Sequence, residues 1–211
     1  ENDRLHPRKK NRPIAAGIIK PFEGRLLLFL LVPATLLLSY SLGLPFLAII
    51  LIYLANNVAY SFKIKHIVIL DVMSIALGFL LRVISGGVLI DVFISPWLLL
   101  CTLMLSLFLG FSKRRAELVA LAGDADKHRK ILDDYSIGFI DNMLSVITAS
   151  TVMAYSLYTF SVYEGPYMML TIPFVLYGIF RYQYVIYQRE DGSNPDEIVL
   201  SDRPLIINVL L

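Results

Sequence analysis

Apolar residues along this chain fall in long unbroken runs, and the polar and charged ones gather in the links between them. The runs lie near Pro21 to Ser41, Leu44 to Ser61, Ile69 to Leu89, Phe93 to Ser112, Ile137 to Phe160 and Pro166 to Tyr187. At 1.5 Å rise per residue, each can cross roughly 30 Å of hydrocarbon as an α-helix. A further run, LIINVLL from Leu205, is too short to do so. Pro45, Pro96 and Pro166 each open a run, where a missing N–H leaves no helix bond unmade. Pro33 and Pro173 stand inside runs and predict kinks there. Trp97, Tyr60, Tyr158, Tyr182 and Tyr187 lie toward run ends, as interfacial anchors do. The pattern predicts an all-α, polytopic transmembrane helical bundle, a single domain over residues 1–211.

Composition strengthens that reading. With 57% hydrophobic and 17% charged residues, the chain is too apolar for an ordinary soluble domain. The net charge of +2 hides an asymmetry, because Lys and Arg crowd alternate links. The stretch before the first run, Lys63 to His66, Lys113 to Tyr135 and Arg189 to Arg203 carry nearly all of them. The turns near Gly43, Gly87 to Asp91 and Ser161 to Gly165 carry none. The positive-inside rule makes the basic side cytoplasmic and sends binding chemistry there. Cys101 sits alone in an apolar run, which excludes a disulfide framework and a thiolate metal site. His6, His66 and His128 have no metal-ligand spacing. The membrane is the expected partner, and no nucleic acid is expected. The absence of an initial Met and of a signal-like apolar segment leads us to expect a piece of a longer protein.

The candidate chemistry lies in the basic links. In ENDRLHPRKKNRPI, Asp3 stands beside Arg4, Lys9 and Arg12 with prolines limiting the backbone. A carboxylate is a hard ligand for Mg²⁺, which bridges protein acids and substrate phosphates. Lys and Arg complete the neutralisation of such phosphates. In YSFKIKHIVILD, Lys63 and Lys65 suit either anionic lipid headgroups or a substrate. Asp71 begins a run and suits either a helix cap or a metal or substrate contact. Arg82 lies deep in an apolar run, where an unpaired guanidinium is costly. It is expected to face the bundle interior and meet either a protein carboxylate or a substrate phosphate. Arg181, near a run end, can snorkel to the interface.

The long link FSKRRAELVALAGDADKHRKILDDYS holds Lys113, Arg114, Arg115, Glu117, His128, Arg129 and Tyr135. A solvated amphipathic segment explains much of it. Three adjacent cations at the membrane boundary also suit a phosphate whose tail lies in the bilayer. There is no phosphate-binding glycine loop, no Ser-His-Asp arrangement and no HExxH. The chemistry implied is metal-assisted departure of a diphosphate with one lipidic reactant.

Taken in order, ENDRLHPRKKNRPIAAGII, YSFKIKHIVILDVMSIALGFLLRVISG, LFLGFSKRRAEL, HRKILDDYS and NPDEIVLSDRPL resemble the UbiA-type intramembrane prenyltransferase superfamily. Its first motif reads NDxxDxxxD followed by DRxxxPxxxxRP. Asp3 falls on the last Asp of that motif and Glu1 two places before it, so the resemblance puts the other acids upstream of this sequence. It implies a nine-helix bundle in the full protein. About six helices would be complete here, with the start of another, and the N-terminal helices and C-terminal end lacking.

The blocks are most similar to the branch that moves 5-phosphoribose from phosphoribosyl pyrophosphate to a polyprenyl phosphate, with Mg²⁺. Aromatic-acceptor members carry a second acidic motif, DxxxD, where this chain has KRRAE, so Lys113 and Glu117 occupy the acid positions. Replacing an acid by a base suits substrates that bring more phosphate.

The resemblance therefore implies Asp3 as the Mg²⁺ ligand, with Asp3, Arg82 and Lys113 in catalysis. Arg12, Lys65 and Arg82 are expected on phosphates, and Lys113, Arg114 and Arg129 on the 5-phosphate or the lipid phosphate. Arg4, Lys9, Lys63, Asp71, Glu117, His128 and Tyr135 complete the expected substrate-binding set. Asp3, Lys65, Arg82 and Lys113 are expected to converge on one cavity. The setting implied is a bacterial inner membrane with the site facing the cytoplasm.

Two other readings remain open on the sequence. One is prenyl transfer from a prenyl diphosphate to an aromatic acceptor, and the other a non-catalytic transporter or lipid-binding bundle with Arg82 in an ion path. Gly86-Gly87 and the small residues Ser74, Ala76 and Gly78 could serve packing within one chain or in a homo-oligomer.

Overall fold

The computed structural model describes residues 13–14, 16–121, 135–162, 166–188 and 195–210. Its helices are α1 (Pro21–Ser41), α2 (Leu44–Phe62), α3 (Leu70–Leu89), α4 (Pro96–Leu121), α5 (Ile137–Val162), α6 (Ile172–Gln188), α7 (Pro195–Ser201) and α8 (Arg203–Leu210). Short 3₁₀ turns occupy Ile64–His66 and Pro166–Thr171. No strand occurs among the described residues. Six helical segments are long and apolar enough to cross a membrane, and in hydrocarbon a helix is the form that pairs every backbone group within one segment.

The chain divides into two units, Glu1–Leu54 and Ala55–Leu211. In the first, α1 opens with the Lys20 N–H donating to the Glu23 carboxylate at 2.8 Å, a bond that satisfies one orphan donor of the helix start. Helix α1 runs on through Pro33, and Gly43 at φ +120 makes the turn into α2. Ser39 is the one buried residue of α1, and its apolar side chains are exposed. The hydroxyls of Thr35 and Ser39 turn back onto carbonyls one turn earlier, which pairs both on an apolar helix.

The second unit is built on α4. Among the described elements its contacts with α3 and α5 are the most extensive, it also touches α6 and α7, and α8 packs on α6 and α7. Val72, Phe108, Phe111, Ile140, Leu144, Tyr182 and Ile198 form the centre of its core. Two residues bring α3 and α4 unusually close: a Cβ placed on Gly110 would stand 2.5 Å from Cγ1 of Val72, a side chain with no exposed surface. Ser74, Ala76 and Gly78 are buried inside this unit, so these small residues serve packing within the chain. Ser74 also pairs reciprocally with Asn56 of α2, giving its hydroxyl to Asn56 Oδ1 at 2.8 Å and accepting Nδ2 on its carbonyl at 3.0 Å.

One boundary differs from the sequence expectation. The run that opens at Pro166 begins as a 3₁₀ turn, and α6 starts only at Ile172, so Pro173 lies in a first helical turn instead of inside a span. Helix α4 continues past the run end at Ser112 to Leu121, and Lys113 to Glu117 extend the helix end as their spacing predicts.

Candidate functional site

A buried acid organises the basic end of α3 and α4. Asp71, in the first turn of α3, has no exposed surface. Its Oδ2 accepts the Nε–H of Arg114 at 2.8 Å, and its Oδ1 accepts the Tyr135 hydroxyl at 2.8 Å. Arg114 is 3% exposed and spends its other edge on Glu117, one turn along α4, through Nη1. Glu117 is the partly exposed end of this chain of bonds, with 28% of its side chain accessible. Fully partnered charges of this kind are the form in which buried ions are tolerated.

Local sequence explains the arrangement. Gly110 lets α4 approach Val72, and Asp71, next to Val72, then meets Arg114, one turn beyond Gly110. The Tyr135 hydroxyl sits between two groups, accepting the Ile69 N–H at 2.6 Å while donating to Asp71. Burial pushes that hydroxyl well above the usual phenol range, and the hydrogen bond to Asp71 pushes the same way. It therefore stays protonated, as a donor must.

Beside this network, Arg115 joins three helices. Its Nε–H donates to Asp141 of α5 at 2.7 Å, its guanidinium lies 3.8 Å from the ring centroid of Tyr187 on α6, and the Tyr187 hydroxyl donates to the same Asp141 oxygen at 2.9 Å. Further along α6, Arg181 makes a two-pronged pair with Asp202, at 3.1 and 2.9 Å. Asp202 also caps α8 by accepting the Leu205 N–H at 3.0 Å.

Of the residues singled out from the sequence, Asp3, Arg4, Lys9, Arg12, His128 and Arg129 lie outside the described residues. The structure joins Asp71, Arg114, Glu117 and Tyr135 directly. Lys63 is exposed and Lys65 half-buried in the turn that leads into α3, and Lys113 is exposed beside Arg114. All three thus lie at the end of the α3–α4 pair that the Asp71–Arg114 bond defines. Arg82 does not belong to this group. It stands about 16 Å along α3 from Asp71 at the helical rise, is exposed, and holds its guanidinium 4.9 Å from the Phe79 ring centroid. The expectation of an inward-facing Arg82 sharing a cavity with Lys65 and Lys113 does not describe this arrangement. A groove of about 560 Å³ lies between α5 and α6, and none of the expected site residues lines it.

Sequence reasoning missed three partners. It left the anion for Arg82 open without finding that Asp71 belongs to Arg114. It let Arg181 snorkel, although Asp202 holds it in the fold. It did not single out Asp141, an acid well inside an apolar run, which was the available signal for a paired arginine.

Among the described residues, no cluster of three or more acids, histidines or cysteines is placed to hold a metal ion. Asp71 and Glu117 are each bound to a guanidinium, so they do not fit a Mg²⁺ site by themselves.

Comparison with known proteins agrees with the geometry in placing the chain. It is 35% identical to a protein of Mycolicibacterium smegmatis named decaprenyl-phosphate phosphoribosyltransferase, over 98% of this chain and 68% of that protein. A protein of the same name from Corynebacterium glutamicum is 33% identical over 100% of this chain and 65% of its own length. A third, from Mycobacterium tuberculosis, is 31% identical over 97% of this chain and 68% of its own. The chain thus spans about two thirds of the length of these curated relatives. The model of the UbiA prenyltransferase family matches residues 1–198. With six apolar helices of spanning length and that match over nearly all its residues, this integral membrane protein belongs to the UbiA prenyltransferase family.

Proposed function

We infer that the full protein transfers 5-phosphoribose from phosphoribosyl pyrophosphate to a polyprenyl phosphate of decaprenyl type, releasing pyrophosphate at the cytoplasmic membrane face. The observation that supports this most is end-to-end similarity to three proteins named for phosphoribosyl transfer to decaprenyl phosphate. Lys113 at the first acid position of the second acidic motif agrees with it, since a base there favours a substrate richer in phosphate.

The described side chains divide the work by how committed they are. Arg114 is buried between Asp71 and Glu117, so it sets the shape of the face and does not grip a ligand. Lys113, exposed beside it, and Lys63 and Lys65, in the turn before α3, are the cations placed to meet phosphate. As the bond from ribose C1 to pyrophosphate breaks, negative charge grows on the leaving group, and cations held in place beforehand stabilise it. The lipid phosphate oxygen attacks C1 from the opposite face. It is already an anion and needs no general base, so the anomeric configuration inverts. Mg²⁺ belongs to the proposal through Asp3, with Arg4, Lys9, Arg12, His128 and Arg129 as further substrate contacts.

The test uses the full-length enzyme with phosphoribosyl pyrophosphate, a polyprenyl phosphate and Mg²⁺. Pyrophosphate should appear only when all three are present, and Asp3→Asn should abolish it while the protein still folds. Release that ignores Mg²⁺ or the lipid, or an Asp3→Asn enzyme of full activity, would remove this reading.

A further inference from the structure

The link into α3 ends in a strained turn. Ile69 holds φ 68 and ψ −47, and the Leu70 N–H donates across it to the Val68 carbonyl at 2.8 Å. This is a γ-turn of the rare positive-φ kind. A β-branched side chain is sterically disfavoured there, so its surroundings must hold it. The Ile69 side chain does little of the holding, since the residue is 39% exposed. Tyr135 does more: its hydroxyl accepts the Ile69 N–H at 2.6 Å and donates its own hydrogen bond to Asp71 at 2.8 Å.

We propose that Ile69 and Tyr135 are positioning residues for the phosphate-binding face. Tyr135, two residues before α5, clamps the strained turn, and the turn fixes where α3 begins. Asp71 then fixes Arg114, and Arg114 fixes Glu117. Lys63 and Lys65 stand just before the same turn, while Lys113 and Glu117 stand on α4, so the clamp sets the distance between two groups of charges on separate elements. A relaxed turn at residue 69 would start α3 in another direction and lose that spacing. The proposal rests on reading this face as the donor-phosphate site, and it adds residues that touch no substrate.

The test compares Tyr135→Phe, Ile69→Gly and the double variant in the full-length enzyme, measuring KM and kcat for phosphoribosyl pyrophosphate. Glycine adopts positive φ without strain, so it should keep the turn without the clamp. Tyr135→Phe should raise KM about tenfold and leave kcat within about threefold. Ile69→Gly alone should be near wild type, and the double variant should return to within about threefold of the wild-type KM. A Tyr135→Phe enzyme with unchanged KM, or a double variant no better than Tyr135→Phe, would overturn the proposal. If Tyr135→Phe does not fold, Ile69→Gly alone decides: a donor KM near wild type supports the idea, and a tenfold rise defeats it. A wild-type enzyme that uses a prenyl diphosphate instead would defeat the donor reading, and the same rescue comparison would then be read with that donor.

Discussion

At the scale of single residues, the protein depends on charges that are buried yet fully partnered. Asp71 and Arg114 are at most a few per cent exposed, so removing Arg114 leaves Asp71 buried without its cation. Arg114→Ala should destabilise the detergent-solubilised protein by about 3–5 kcal/mol. Adding Asp71→Asn should recover part of that loss, because the stranded charge is gone. Thermal unfolding of the single and double variants checks this, and additive losses would contradict it. Tyr135 gives a second prediction. Its folded pKa is raised, so its contribution is complete below the ordinary phenol value of about 10 and is lost as pH rises through the folded value. The thermal midpoint should therefore fall above about pH 10, and fall less steeply in Tyr135→Phe. Asp71 was recognisable in the sequence as a special acid, but its partner was not. Nothing local links it to Arg114 rather than Arg82, and only the approach of α3 to α4 decides. The strained turn at Ile69 was invisible, because isoleucine is a residue that no turn rule selects.

At the scale of elements, close helix approach does the positioning. Val72 is β-branched and fully buried, so it cannot swing away from a methyl group added at Gly110. Gly110→Ala should cost about 1–3 kcal/mol and lower activity through the displaced Asp71–Arg114 bond. Gly86→Ala is the control, since a Cβ there meets nothing within 4 Å; equal losses in the two variants would refute the packing argument. The polar clamp of Asn56 and Ser74 should matter less. Hydrogen bonds between membrane helices average about 0.6 kcal/mol, so Asn56→Ala should lower stability by less than about 1.5 kcal/mol in the same assay. Helix positions were legible because a spanning run leaves so strong a pattern, and α1 to α5 begin near where the runs predict. The start of α6 was not, since the apolar composition of Pro166–Thr171 does not distinguish a 3₁₀ turn from an α-helix.

At the scale of the whole molecule, Lys65, Lys113, Arg114 and Tyr135, all from the basic links, lie at one end of the α3–α4 pair. Arg82 stands apart from them, because a charge inside an apolar run signals importance without signalling distance from a site. The sequence put Arg114 on a phosphate, whereas the fold spends Arg114, Arg115 and Arg181 on its own acids. Among the described residues Lys63 and Lys113 are exposed at that end and Lys65 is half-buried, and the proposal sets substrate phosphate against these three. The central claim is that this face takes a sugar diphosphate donor, and a two-label transfer assay addresses it most directly. Full-length enzyme in membranes receives Mg²⁺ and a polyprenyl phosphate with ribose-labelled phosphoribosyl pyrophosphate, or an aromatic acceptor with a labelled prenyl diphosphate. The account predicts ribose label in a new lipid phosphodiester and no prenylated aromatic product. Prenyl label on the aromatic acceptor, with no ribose label in lipid, would contradict it.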